Sequence, residues 1–433
     1  MGDGKKTKHP GSESEKPRDF SEYNFIKETI KEKPMNRKMI ISRIAAITAG
    51  AVLFGAVSAA VFAGVYPVIS NKIEENKKPE KVDIDVEQPE VTDKPEETPT
   101  SSLEPEGLKG IKLEDYERIY EDVHQIAQKP LTAMTTVTGI REDADLLDNS
   151  YVRYGQSSGV IIAKTSAEIY VLTQESVLGK SENQVQVTFC DGSIAKGSLR
   201  KKDEGTGFAV VSVPFKNVST ETLTRISVAS LGNSYSLMQG KPVIAIGSPT
   251  GYNETVAYGN IISVSNKVSV VDAEYNLLVT DILGSKEGSG VLLDTGGSVI
   301  GIITQSFGES TDTMVKALSV AQLKRLLADL SNGKEICYAG IYGQDVTESI
   351  AKQTGIPMGI YVDSVATESP AMIAGIQSAD VITELNGTEV TTMQKFSTEL
   401  QKCKKDDKVP IRLMRKGNDG YEEMNFEIAI SVK

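Results

Sequence analysis

Along the chain, apolar and polar positions fall into four regimes. Ile44 to Ile69 is an uncharged run of 26 residues, rich in Ala, Val, Ile, Phe and Gly. It is long enough to cross a bilayer as a helix, so a transmembrane helix is predicted over 44–69. A cleaved signal peptide would start nearer the N-terminus and have a shorter apolar region. Further on, apolar residues at 113, 116, 119, 120, 123, 126 and 127 recur at helical spacing, which predicts a helix over 112–129 ended by Pro130. From Leu131 to Phe307 the period shortens. Short β-rich runs such as Ile169–Thr173, Phe208–Val213, Pro242–Ile246 and Val299–Thr304 alternate with turn signals, the mark of a sandwich or barrel. Ser319 to Gly333 returns to helical spacing, and a connecting helix is predicted over 319–334. The last unit, 335–433, mixes strands Gly359–Val365 and Val409–Arg415 with helical patches Pro370–Ala374 and Met393–Cys403.

The stretches between these regimes are polar. Residues 1–43 hold 11 Lys/Arg against 7 Asp/Glu, a net +4, so the remainder carries −16 of the total −12. Arg37, Lys38 and Arg43 precede the apolar run, and the positive-inside rule places the tail in the cytoplasm and the bulk of the chain outside. Residues 70–111 contain Pro79, Pro89, Pro95, Pro99 and Pro105 among many Glu, Lys and Thr, and read as a disordered linker. The acidic balance offers no basic face for nucleic acid.

Composition narrows the chemistry. Cys190, Cys337 and Cys403 form no CxxC and no paired framework, so neither a metal nor a disulfide scaffold is indicated. They read as small buried hydrophobes, with a Cys337–Cys403 bridge open if both face one interior. No cofactor is expected. The histidines are His9 and His124, and no histidine follows His124. His124 lies beside the apolar face of the 112–129 helix, where a solvated or capping role is expected.

The stretch Gly284-Ser-Lys-Glu-Gly-Ser-Gly-Val-Leu-Leu-Asp-Thr-Gly-Gly-Ser-Val-Ile-Gly301 is a small-residue loop leading into a hairpin. It resembles the nucleophile loop of the HtrA (DegP-like) family of trypsin-like serine proteases, Gly-Asn-Ser-Gly-Gly-Pro-Leu-Leu-Asn. Gly247-Ser-Pro-Thr-Gly251 is similar to the family's Gly-Asn-Pro-x-Gly. The family's histidine run, Tyr-Ile-Leu-Thr-Asn-Asn-His-Val-Val, is matched by Tyr170-Val-Leu-Thr-Gln-Glu-Ser-Val-Leu178, with Ser176 in the histidine's place. The family's Asp-x-x-Thr-Asp-Leu-Ala-Val-Leu is matched by Asp203-Glu-Gly-Thr-Gly-Phe-Ala-Val-Val211, with Gly207 at the catalytic aspartate. The nucleophile position falls on Gly288 counting back from Val299 and on Ser289 counting forward from Asp281, so the loop is one residue short. A shortened loop should misplace the backbone N–H groups of the oxyanion hole. A Ser289–Lys286 pair would need a desolvated lysine, whereas a loop lysine in solvent stays protonated.

Residues 335–433 resemble an HtrA-type PDZ domain through Gly355-Ile-Pro-Met-Gly-Ile-Tyr-Val, Ser369-Pro-Ala-Met-Ile-Ala-Gly, Asp380-Val-Ile and Asn386-Gly387. The family's carboxylate loop, Tyr-Leu-Gly-Ile, is matched by Tyr338, Ala339, Gly340 and Ile341.

The resemblance implies a mainly β chain: one transmembrane helix, a trypsin-like double β-barrel over 130–318, and an α+β PDZ domain over 335–433. It implies peptides or the C-termini of unfolded proteins as partners, and a homotrimer or a hetero-oligomer with active relatives. The leading expectation is a single-pass, extracytoplasmic pseudoprotease. An active serine endopeptidase in envelope protein quality control is the competing one, and a barrel that merely spaces the PDZ domain from the membrane is a third.

Overall fold

The computed structural model describes residues 80–86, 112–144, 150–178, 185–307 and 313–433. The expected membrane span 44–69 and the tail 1–43 lie outside them. Among the described residues no helix is long and apolar enough to cross a membrane.

Helix α1 (Leu113–Leu131) leads into the first barrel. It runs through Pro130 rather than stopping before it. Strands β1 (Met134–Ala144), β2 (Ser150–Lys164), β3 (Glu168–Gln174), β4 (Val185–Thr188), β5 (Ile194–Asp203) and β6 (Phe208–Pro214) close in the order β1-β2-β3-β6-β5-β4. After a short helix α2 (Thr220–Arg225), a second barrel repeats the arrangement. Its strands are β7 (Pro242–Ser248), β8 (Thr255–Val270), β9 (Ala273–Leu283), β10 (Ser289–Leu293), β11 (Val299–Ile303) and β12 (Met314–Ser319), closed as β10-β11-β12-β9-β8-β7.

Strand periodicity explains why these runs are apolar at successive positions. Side chains alternate faces along a strand. Ile169 and Val171 of β3 point into the first barrel with Val211 and Val213 of β6. Tyr170, Leu172, Phe208 and Val210, one position out of phase, join a separate core that also holds Val291 and Leu293 of β10. Leu292, between them, lies inside the second barrel with Ile261 and Leu278. Both faces are buried, so the sequence shows continuous apolar runs rather than alternation.

Helix α3 (Val320–Ser331) buries Val320, Leu323, Leu327 and Leu330, one apolar stripe, in the core shared with both barrels. Its end anchors residues 80–86. The Val82 N–H donates to Asn332 Oδ1 at 2.9 Å, and Asn332 Nδ2 donates back to the Val82 carbonyl at 2.9 Å. Val82 and Ile84 are buried in the same core. Such burial stabilises by about 1.5–3 kcal/mol per side chain. This part of the expected 70–111 linker is therefore a strap on the folded unit, because two apolar residues and a matched Asn pair offset the entropy of ordering it.

The last unit is a six-stranded sheet. Its main path runs β14 (Ile341–Val346), β15 (Gly359–Val365), β16 (Val381–Leu385), β18 (Lys408–Lys416) and β19 (Tyr421–Ala429), with β17 (Thr388–Glu389) on β16. Strands β13 (Cys337–Tyr338) and β20 (Ser431–Val432) pair separately. Helices α4 (Glu348–Thr354), α5 (Pro370–Ala374) and α6 (Met393–Leu400) complete it. Ile341, Ile360, Ile382, Phe396 and Ile428 are the centre of its own core. Cys337 and Cys403 are both buried there as free thiols, and Cys337 Sγ donates to the Cys403 carbonyl at 3.0 Å.

Candidate functional site

The positions expected at the triad, Ser176, Gly207 and Gly288 or Ser289, lie on segments joined by backbone and side-chain hydrogen bonds. Strand β3 ends in a 3-10 turn, Glu175–Val177, that carries Ser176 on its exposed side. The Glu175 N–H donates to the Gly207 carbonyl at 2.7 Å, which ties this turn to the start of β6. Gly207 has φ +72°, and a Cβ built there would have only Ser306 Oγ, at 3.9 Å, for company. There is room for a side chain, but the left-handed backbone disfavours one. Asp203 is engaged elsewhere: its Oδ2 accepts from the Thr206 N–H at 2.8 Å and from Thr206 Oγ1 at 2.7 Å.

Ser289 opens β10 and is 1% exposed. Its Oγ accepts the Ser158 N–H at 2.9 Å. Gln174 reaches across the cleft, with Nε2 donating to the Gly288 carbonyl at 3.0 Å. The loop before Ser289 is folded on itself. The Gly288 N–H donates to the Ser285 carbonyl at 2.8 Å, and the Glu287 N–H is 3.4 Å from Ser285 Oγ. These N–H groups therefore point into the loop rather than toward a reacting carbonyl, which is where oxyanion stabilisation needs them. Lys286 is exposed while Ser289 is buried. His124 is exposed on α1, its Nδ1 3.2 Å from Tyr258 Oη and its Nε2 2.8 Å from Gln128 Nε2. Among the described residues no group of three or more His, Cys, Asp or Glu gathers as a metal site would require.

The second cluster of expected residues is Tyr338 to Ile341, which leads into edge strand β14 with Ile341 as its first residue. Gly340 has φ +91°, and a Cβ there would overlap the buried Ser369 side chain, so glycine alone fits. This lets three successive N–H groups turn toward one point. The carboxylate of Asp272, from the turn between β8 and β9, sits at that point. The Ala339 N–H donates to Oδ2 at 2.9 Å. The Gly340 N–H lies 2.9 Å from Oδ1 and 3.0 Å from Oδ2, and the Ile341 N–H donates to Oδ1 at 2.9 Å. Burial pushes the Asp272 carboxyl up from its ordinary range, against the pull of these N–H groups toward the charged form. Ala339 is buried, and its carbonyl accepts the Ala371 N–H at 2.9 Å. Tyr338 is partly buried, with Lys433 Nζ 4.7 Å from its ring centre.

Sequence reasoning did not single out Asp272, Gln174, Ser158 or Ser285. Asp272 carried one faint signal, a polar residue between two β-prone runs. Nothing local says that it reaches a loop 67 or more residues further on.

Two closed six-stranded barrels with a cleft between them, followed by a PDZ sheet, define a trypsin-like peptidase fold joined to a peptide-recognition domain. The model of the trypsin-like peptidase domain matches residues 157–302, and that of the PDZ domain matches 325–425. "Serine protease Do-like HtrB" of Bacillus subtilis (strain 168) is 34% identical over 283 residues, which cover 60% of this chain and 59% of that relative. "Serine protease Do-like HtrA" of Lactobacillus helveticus is 28% identical over 292 residues, covering 63% and 69%. The solved structure "HtrA-type protease AlgW with decapeptide" shares the fold, with a TM-score of 0.51 at 20% identity, over 72% of this chain and 98% of that one. Over both domains the chain is similar to HtrA-type proteins, and it spans 59% of the length of the Bacillus subtilis HtrB relative.

Proposed function

We propose that this chain is a membrane-anchored, extracytoplasmic HtrA-like pseudoprotease that binds peptides or the C-termini of unfolded proteins through its PDZ domain. One observation carries the reading. The motif resemblance aligns Ser176 and Gly207 with the family's histidine and aspartate, and the Ser289 hydroxyl is buried with its oxygen accepting the Ser158 N–H. A serine hydroxyl is a weak nucleophile without a base to take its proton, and among the described residues the one histidine, His124, bonds Tyr258 and Gln128 instead. The Ala339–Ile341 N–H groups are suited to a terminal carboxylate, with β14 as the edge that a peptide strand would extend. An affinity on the order of micromolar, about 8 kcal/mol, suits so small an interface. Such a chain could regulate active relatives by entering their oligomers.

The relatives are named as serine proteases, which is the competing reading. Purified chain incubated with unfolded casein and a fluorophosphonate probe, beside an active relative, decides between them. Neither cleavage nor labelling is expected. Labelling at Ser289 that disappears in Ser289→Ala would overturn the pseudoprotease reading.

A further inference from the structure

We propose that the β8–β9 hairpin is an internal ligand of the PDZ domain, with the Asp272 side chain holding the place of a peptide's terminal carboxylate. This rests on reading the Tyr338–Ile341 loop as a carboxylate site. The contacts reproduce both halves of peptide recognition. The Asp272 carboxylate takes the N–H groups of Ala339, Gly340 and Ile341. The Asp272 N–H donates to the Ile341 carbonyl at 2.7 Å, and Ser269 Oγ donates to the Gly343 carbonyl at 3.3 Å. The hairpin therefore also occupies the free edge of β14, which pairs with β15 alone among the strands of its sheet. Lys267 Nζ, also on the hairpin, reaches Asp345 Oδ2 of β14 at 3.0 Å. Asp345 Oδ1 in turn accepts the Met393 N–H at 2.7 Å at the start of α6. One clamp thus spans the loop, the edge strand and the helix that border the groove.

A terminal carboxylate and Asp272 cannot occupy three N–H groups at once. A peptide ending in a free carboxylate binds only after the hairpin withdraws, so its apparent affinity is reduced by the fraction of molecules that are open. Withdrawal moves β8 and β9, which are strands of the second barrel. Groove occupancy is in this way coupled to the domain that carries Ser289.

The test compares the native chain, purified in detergent, with Asp272→Asn and Asp272→Gly. Asp272 has φ +61°, a conformation that Asn and Gly adopt readily, so both variants keep the turn. Two measurements are made: amide hydrogen exchange at 339–341, and binding of a fluorescein-labelled hexapeptide ending in valine, as free acid and as amide. The expected result is lost protection at 339–341, retained protection in the barrel strands, and free-acid binding at least tenfold tighter than in the native chain. Unchanged protection in both variants would overturn the internal ligand and leave the carboxylate reading standing. Lost protection with equal binding of acid and amide would sink the carboxylate reading, and with it the assignment of Asp272 as a ligand mimic. Lost protection with free-acid binding no tighter than native would show that the hairpin does not compete, and would also overturn the proposal.

Discussion

Ser176, Gly207 and Ser289, which the motif resemblance aligns with the triad, differ in how readily each could become a working member. Ser176 lies on an exposed turn, and the shape of that turn does not itself forbid an imidazole. Gly207 is a deeper obstacle, because its φ of +72° is a glycine conformation. The left-handed region costs about 1–2 kcal/mol for an L side chain, somewhat less for Asp. Gly207→Asp should therefore lower the stability of the chain by about 1 kcal/mol, read as a shift in urea midpoint with unchanged slope. Combining it with Ser176→His should not restore casein cleavage. The Gly288 N–H would still donate to the Ser285 carbonyl, and triad members act as a unit rather than additively. Cleavage by the double variant would show that the loop can reopen to form an oxyanion hole.

At the scale of elements, small polar clusters fix how neighbouring pieces meet, and the turn between β4 and β5 is a clear case. Asp191 Oδ1 accepts the Ser193 N–H at 3.0 Å and Ser193 Oγ at 2.6 Å, while Oδ2 accepts Thr222 Oγ1 of α2 at 2.8 Å. Ser193 and then Thr222 hold this carboxyl below its ordinary value, with partial burial opposing them. A depressed folded pKa stabilises above the unfolded value and is lost as pH falls through the folded one. Asp191→Asn should lower the urea midpoint at pH 7, and the gap to the native chain should begin to narrow as pH falls below about 4. A gap that does not narrow at all as pH falls below about 4 would mean that shape, not charge, makes the contact. The same scale shows what periodicity can reveal. Helix α5 was legible to the residue because Ser369 caps it and Pro370 begins it, and β15 because its apolar residues are bounded by turns. Strand β19, Tyr421–Ala429, was missed because it is mostly exposed, and α4 because it buries no residue. An element without a buried face leaves no apolar period to read. The hairpin of β8 and β9 was seen only in part for a related reason: its far end gains its burial from the PDZ domain, a contact that local sequence does not encode.

Across the whole molecule, charge and anchoring point the same way. The tail 1–43 carries +4 and the rest −16, on either side of a 26-residue run without charge. Basic residues resist translocation, so the tail should stay in the cytoplasm while the acidic bulk crosses. The folded unit begins at Glu80, where the Ser166 N–H donates to Glu80 Oε2 at 2.8 Å and Val82 is fastened to Asn332. At the other end of the chain, Lys201 Nζ of β5 donates to the Lys433 carbonyl at 2.9 Å, which closes the PDZ domain back onto the first barrel. Barrels and PDZ domain should therefore lie on one side of the membrane together. Protease added to intact protoplasts, with antibodies against the tail and the PDZ domain, reads this directly. The PDZ signal should vanish while the tail signal survives until the membrane is opened with detergent. Survival of the PDZ signal in intact protoplasts that lose the tail signal would reverse the orientation, and survival of both would place the folded unit in the cytoplasm.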